Sequence, residues 1–167
     1  SSQEFRQTDS HMLIEALKQD DHVLWIDLEK PSESDLARLH EVFNFHSLAL
    51  EDTLHQNQRP KVEEYQDYMF IVLKPIVMTA HGIEFRELEV FVGQNYLVTV
   101  HIDDEPIIRH AGNRFNSQQE RTRLFGTSTR ILYILLDVII DDYILALDWL
   151  EDEIEKLSQQ ILTQPAQ

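Results

Sequence analysis

The side chains in this sequence able to do chemistry are mostly carboxylates, and they gather in two places. The first is a dense stretch: His46-Ser47-Leu48-Ala49-Leu50-Glu51-Asp52, then Gln58-Arg59-Pro60-Lys61-Val62-Glu63, then Tyr65-Gln66-Asp67-Tyr68-Met69-Phe70-Ile71-Val72-Leu73. Glu51 and Asp52 are adjacent acids, and Arg59 and Lys61 return basic charge across a turn fixed by Pro60. The plainest chemistry for that arrangement is an ion pair, with Glu51 or Asp52 held by Arg59 or Lys61. The second place is residues 126–160, with Asp137, Asp141, Asp142, Asp148, Glu151, Asp152, Glu153 and Glu155. Several of these stand four apart and would repel one another on one helical face. Such a run is either a solvated face or a seat for cations.

Other chemistries lack their residues. The four glycines form no phosphate-binding pattern, and no G-x-S-x-G elbow occurs. The eight histidines never fall into H-x-x-x-H or H-E-x-x-H spacing, and scattered histidines are ordinarily surface or core residues. Cysteine is absent, which excludes disulfides, thiolate metal sites and thiol nucleophiles and fits a reducing compartment. Enzymatic function finds no foothold. With 14 Lys and Arg against 30 Asp and Glu, the formal charge is −16. That balance argues against nucleic acid and against docking on an anionic membrane surface. It suits cations or a soluble acidic partner.

The elements that must carry these residues follow from periodicity. Ser10 can cap a helix over 11–18. Residues 23–28 are a short apolar run of strand length, closed by Pro31. Ser32 and Asp35 form an approximate capping box for a helix with Leu36, Leu39 and Phe43 on one face, and a short helix over 47–54 follows Asn44. Residues 68–73 read as a central strand that Pro75 ends or bends. Residues 83–92 read as one strand, joined through Gly93-Gln94-Asn95 to a strand over 96–101. Residues 103–106 start a helix that runs to about Phe115, with Pro106 in the first turn and acids at its positive end, and the polar, basic stretch 116–123 is a loop or helix end. Finally, Leu136, Ile140, Tyr143, Leu147, Leu150, Ile154, Leu157 and Ile161 fall four and three apart, a heptad seam, with no breaker between Gly126 and Pro165. One long helix over 126–160 is expected. A second apolar set, Leu132, Leu135, Ile139 and Leu145, widens its face at the start, so the helix should pack on the body only over its first half. No window approaches 18 consecutive apolar residues. The pattern reads as a single α+β or α/β domain with a helical extension, after a polar stretch (1–10) expected to be disordered or an expression remnant.

The dense stretch closely resembles the cytoplasmic domain of the CorA family of magnesium and cobalt transporters. That domain carries an H-P-L-x-L-E-D segment, an R-P-K segment and an aromatic-rich strand ending in F-I-V-L. Here these stand as His46 to Asp52 with Ser47 in place of proline, Arg59-Pro60-Lys61, and Phe70-Ile71-Val72-Leu73. The resemblance reaches back to Trp25-Ile26-Asp27 and forward to Leu135-Leu136-Asp137 with Asp141-Asp142-Tyr143, and so covers nearly the whole chain.

This resemblance implies an α/β/α layered sandwich with a mixed central sheet over 11–125 and a long acidic helix, the first of a helical extension, over 126–167. It implies the cytoplasmic part of a homopentameric channel, on the inner face of the cell membrane, whose return helix, stalk and membrane spans are not in this sequence. Such a piece is expected to be soluble while the full-length protein sits in the membrane. In the family, Mg²⁺ bound between neighbouring cytoplasmic domains holds the pore shut. By resemblance, Glu51 and Asp52 face a neighbouring subunit's stalk helix, and Asp137 lies near a second site; these are the candidate metal carboxylates. Mg²⁺ is both the regulatory and the transported ion in this reading, with Co²⁺, Ni²⁺ or Zn²⁺ as alternatives. A related zinc transporter of the same architecture is the second reading, and a free acidic module using its seam as a helix-in-groove element is the third.

Overall fold

The computed structural model describes residues 10–18, 23–55, 57–117 and 127–163. The expectations for residues 1–9, for most of the 116–123 loop and for Gly126 lie outside them.

Twelve elements are described: α1 (Ser10–Leu17), β1 (Leu24–Glu29), α2 (Glu33–Phe43), α3 (Ser47–Asp52), β2 (Lys61–Glu64), β3 (Tyr68–Leu73), β4 (Ile76–Thr79), β5 (Gly82–Phe85), β6 (Leu88–Gly93), β7 (Tyr96–His101), α4 (Pro106–Asn116) and α5 (Ser128–Thr163). Local signals set several boundaries. The Ser32 side chain accepts from the Asp35 N–H while the Asp35 carboxylate accepts from the Ser32 N–H, a complete capping box at the start of α2. Asn44 ends α2 in the left-handed conformation, which its short polar side chain tolerates. His46, just before α3, accepts from the Leu48 N–H through Nδ1 at 3.2 Å. Pro106 stands in the first turn of α4, where its missing N–H costs nothing.

Five strands form one mixed sheet in the order β1-β7-β6-β3-β2, with β1 parallel to β7 and every other pair antiparallel. Alternation along the strands sorts the core into two faces. Ile26, Leu28, Phe70, Val72, Phe91, Val98 and Val100 meet α1, α2 and α3. Ile71, Leu88, Val90, Val92 and Leu97 meet α4 and the start of α5. The result is the α/β/α layered sandwich with a long C-terminal helix. Phe45 anchors the first face, stacked on Phe43 and on Phe91 with ring centroids 5.1 and 4.2 Å away.

Residues 83–92 are not one strand. β5 pairs with β4 in a separate two-stranded sheet, and β6 pairs with β3 in the main one. The main ladder ends at Leu73↔Leu88 and the small one begins at Ile76↔Phe85, so Lys74-Pro75 lies opposite Arg86-Glu87 at a bend. Pro75 has no N–H for a ladder, though its carbonyl still accepts from the Arg86 N–H at 2.8 Å. Glu87 fills the bend: its carboxylate accepts from the Lys74 ammonium and from the Asn57 N–H. Next to it Glu89 is 3% exposed, and its carboxyl is pushed up to about 9 by burial first and by a hydrogen bond to Glu87 second.

α5 spans 36 residues. Ile131, Leu132, Ile134, Leu135, Val138 and Ile139 are buried against the sheet and α4. The seam residues Ile140, Leu147, Leu150, Ile154, Leu157 and Ile161 are all exposed, as is Leu145 from the second set. The small hairpin extends the support further than the main sheet does. The Tyr143 hydroxyl donates to the Lys74 carbonyl at 2.7 Å, and the Trp149 ring lies beside Gly82, whose φ of +120° suits the glycine there.

Candidate functional site

The three carboxylates singled out by resemblance occupy two separate corners. Glu51 and Asp52 stand in the last turn of α3, on the first face of the sheet. Asp137 stands on α5, on the second face, beyond the sheet from the other two. One chain does not bring them together.

At the first corner, β2 is the edge strand and its residues alternate. Lys61 and Glu63 lie opposite Val72 and Phe70, whose side chains belong to the α3 face. That register points Lys61 at the end of α3. Its ammonium lies 2.7 Å from the Asp52 carboxylate and 2.8 Å from that of Glu63, and 5.4 Å from the centre of the Phe70 ring. The lysine is held above its ordinary range, chiefly by the hydrogen bond to Asp52 and then by that to Glu63. Of the pairings the sequence left open, the one formed is Asp52 with Lys61. The need for it is electrostatic, because Asp52 stands beside Glu51 in the last turn of α3, at the negative end of the helix dipole. Glu51 is exposed.

At the second corner, α4 ends against the early part of α5. Arg114, in the last turn of α4, places one guanidinium nitrogen 2.5 Å from Asp137 and another 3.8 Å from Asp141. Those two acids are one turn apart on α5 and would repel without the arginine between them. The neighbouring Asp142 is raised, first by burial, with the Asp141 charge adding to the shift and His110 opposing it.

Asp52 with Glu63, and Asp137 with Asp141, are hard oxygen donors of the type Mg²⁺ accepts. Each pair is closed by a basic side chain. Among the described residues, no group of three or more His, Asp or Glu could hold a metal ion. The donor type fits a divalent cation; the donor number within one chain does not.

Glu63, Arg114 and Asp141 belong to these corners and were not among the candidates. Glu63 had a signal, since period-2 spacing puts it on the same side of a strand as Lys61. Arg114 had none, because its partner lies on another helix.

Comparison with known proteins gives the family and the fold. A family model described as CorA-like Mg²⁺ transporter protein matches residues 20–167. The cobalt/magnesium transport protein CorA of Thermotoga maritima is 31% identical over 97% of this chain and 46% of its own length. The structure of the soluble domain of CorA from Methanocaldococcus jannaschii superposes with a TM-score of 0.66 at 26% identity, over 83% of this chain and 55% of that one. The ZntB cytoplasmic domain from Vibrio parahaemolyticus gives 0.64 at 14% identity, over 81% of this chain and 56% of that one, a likeness of fold alone. The chain spans about half the length of the curated relatives it matches.

Proposed function

The chain belongs to the family of CorA-like Mg²⁺ transporter proteins, which are transporters rather than enzymes, and from that premise we propose that it is the cytoplasmic, divalent-cation-sensing domain of a homopentameric Mg²⁺ channel. In this reading residues 11–125 are the layered domain and 126–167 begin a helical extension toward membrane spans in the remaining length of the transporter. No described helix is long and apolar enough to cross a membrane. Mg²⁺ is the transported ion and also the regulator, with Co²⁺ the other cargo that the relatives' names support. Zn²⁺ rests on likeness of fold alone.

The observation that carries the sensing role is the separation of the candidate carboxylates. Glu51 and Asp52 lie on one side of the domain and Asp137 on the other. A ring of identical subunits joins unlike faces head to tail, so each interface would take one face from each neighbour. Carboxylates that make no complete site within one chain would then share a cation with a neighbour. With a charge of −16 per chain, subunits repel until cations stand between them. Loss of Mg²⁺ would let them separate and the channel open.

The test is limited proteolysis of the whole transporter across a Mg²⁺ titration. Asp52→Ala is expected to need more Mg²⁺ for the same protection. If Asp52 serves only as the partner of Lys61, the substitution lowers thermal stability and leaves the protection curve in place, and that outcome would remove Asp52 from the sensor.

A further inference from the structure

We infer that His101 is a proton-dependent latch: with both ring nitrogens protonated it ties β1 to the turn that leads into α4, and loss of one proton frees the start of that helix from the sheet. The inference goes beyond the function proposed above and uses none of its carboxylates.

The parallel pairing of β1 with β7 sets Asp27 opposite Thr99 and Glu29 opposite His101, on the sheet face that α4 covers. Their neighbours on that face, Trp25, Leu97, Ile107 and Ala111, are apolar. A polar row runs between them in one direction. The Trp25 indole N–H donates to the Thr99 hydroxyl at 3.2 Å, and that hydroxyl donates to one Asp27 oxygen at 2.5 Å. The other Asp27 oxygen lies 3.3 Å from His101 Nε2, and His101 Nδ1 lies 2.6 Å from the Asp103 carbonyl oxygen. Both ring nitrogens therefore face acceptors. A neutral imidazole has one N–H and satisfies one of them, whereas the imidazolium satisfies both. His101 is 4% exposed, so bulk water does not replace the missing bond.

The surrounding charges favour the same state. Glu105, the N-cap of α4, is 2% exposed; one of its oxygens accepts from the Ile107 N–H, and the other meets no donor among the described residues. Arg86, in the bend after β5, is engaged by Glu84 at 2.8 Å and by the Asp103 carboxylate at 2.9 Å. Glu29, with Lys30 at 3.4 Å, stands across the ladder from His101. Burial pulls the imidazole down, but Asp27, the Asp103 carbonyl and Glu105 together hold it above its ordinary value of 6.5. The latch is thus complete below that ordinary value and is lost as pH rises through the higher, folded one. Its loss acts locally. Asp103 opens the turn that leads to Pro106, while the far end of α4 is held separately by Phe115 against Trp25 and by Arg114 against Asp137. The helix should loosen from its start.

Every group in the latch belongs to this one chain, so the chain by itself is the object to test. Imidazole nitrogen NMR between about pH 6 and 9 reads the charge on His101. Amide exchange over the same range, referred to Phe91 in the central strand β6, reads the seat of α4. Both are made in the wild type and in Glu89→Gln, because the buried Glu89 titrates with the same sign. The ring is expected to carry both protons at the acid end and to lose one within the range. As it does, protection of Ile108 and Ala111 should fall roughly tenfold relative to Phe91, the weight of one hydrogen bond to a charged group. His101→Gln has no proton to lose and should show the same relative protection at both ends of the range. Asp27→Asn should lower the pH at which His101 titrates. A ring that is neutral at the acid end, or still charged at the alkaline end, overturns the proposal. So does a ring that titrates while the protection of α4 stays constant, or a fall in His101→Gln as large as in the wild type. The first three of these results need no variant, so they decide the matter even where a substituted chain fails to fold.

Discussion

The two halves of α5 both carry apolar residues, twelve in 128–145 and eight in 146–163, and these meet opposite fates. In the first, Ile131, Ile134 and Leu135 are at most 2% exposed, sealed between the sheet and α4. In the second, Leu147, Ile154, Leu157 and Ile161 are more than half exposed. The seam and the buried stripe are different sets of residues, rotated from one another around the helix; Leu136 alone stands at their margin. A helix can thus carry two apolar faces, of which the body uses one. Periodicity reports that a face exists and says nothing about whether this chain covers it.

The largest effect expected from this contrast comes from truncating one leucine in each half. Leu135→Ala should cost about 3 kcal/mol, as a fully buried leucine does. Leu157→Ala should change stability by less than about 0.5 kcal/mol. Urea denaturation of both variants measures this, and amide exchange should be slow near Leu135 and fast near Leu157. Equal costs, or uniform protection in a monomer, would break the contrast.

A pH effect comes next, because the bend that carries the small hairpin against α5 holds the buried Glu89. Its carboxyl titrates near 9 when folded and far lower when exposed. The protonated form is the one the fold accepts, so its contribution is complete below the unfolded value and is lost as pH rises through the folded one. Wild-type stability should therefore decline between about pH 4.5 and 9 through this group. Glu89→Gln keeps a donor for Glu87 without the charge. It should flatten that decline and gain about 1–2 kcal/mol at pH 8 relative to pH 5. Parallel stability curves for the two proteins would show that Glu89 is ionised in place.

The smallest effect sharpens the boundary between the halves. Tyr143→Phe removes the hydroxyl that donates to the Lys74 carbonyl and leaves the ring. A loss of about 0.5–1 kcal/mol is expected, with faster amide exchange confined to the middle of α5. No change in exchange there would mean that the hairpin does not hold the helix.

Much of the molecule was legible because its causes are short-range. Residues 68–73 and 96–101 match β3 and β7, and Ser32 with Asp35 announced the start of α2. The resemblance carried by His46 to Asp52, Arg59-Pro60-Lys61 and Phe70 to Leu73 identified the family that the comparisons show. β2 and β4 were not recognised, since four-residue strands hold too few positions for a period to emerge. The run 83–92 misled for a related reason: its alternation continues through a bend that only the position of Pro75 across the hairpin imposes.

What the sequence determined by itself are the choices a residue makes with neighbours a few positions away: helix caps, the left-handed turn at Asn44, and the alternation that gives each strand two faces. Whatever depends on the element across a gap was decided by tertiary structure. Asp52 could meet Arg59 or Lys61, and the β2–β3 register chose Lys61. Asp137 was one acid in a run of eight until the end of α4 set Arg114 against it. The physical reason is that hydrogen-bond periods are written into consecutive residues, whereas charge partners are selected by packing, which joins residues far apart in the chain.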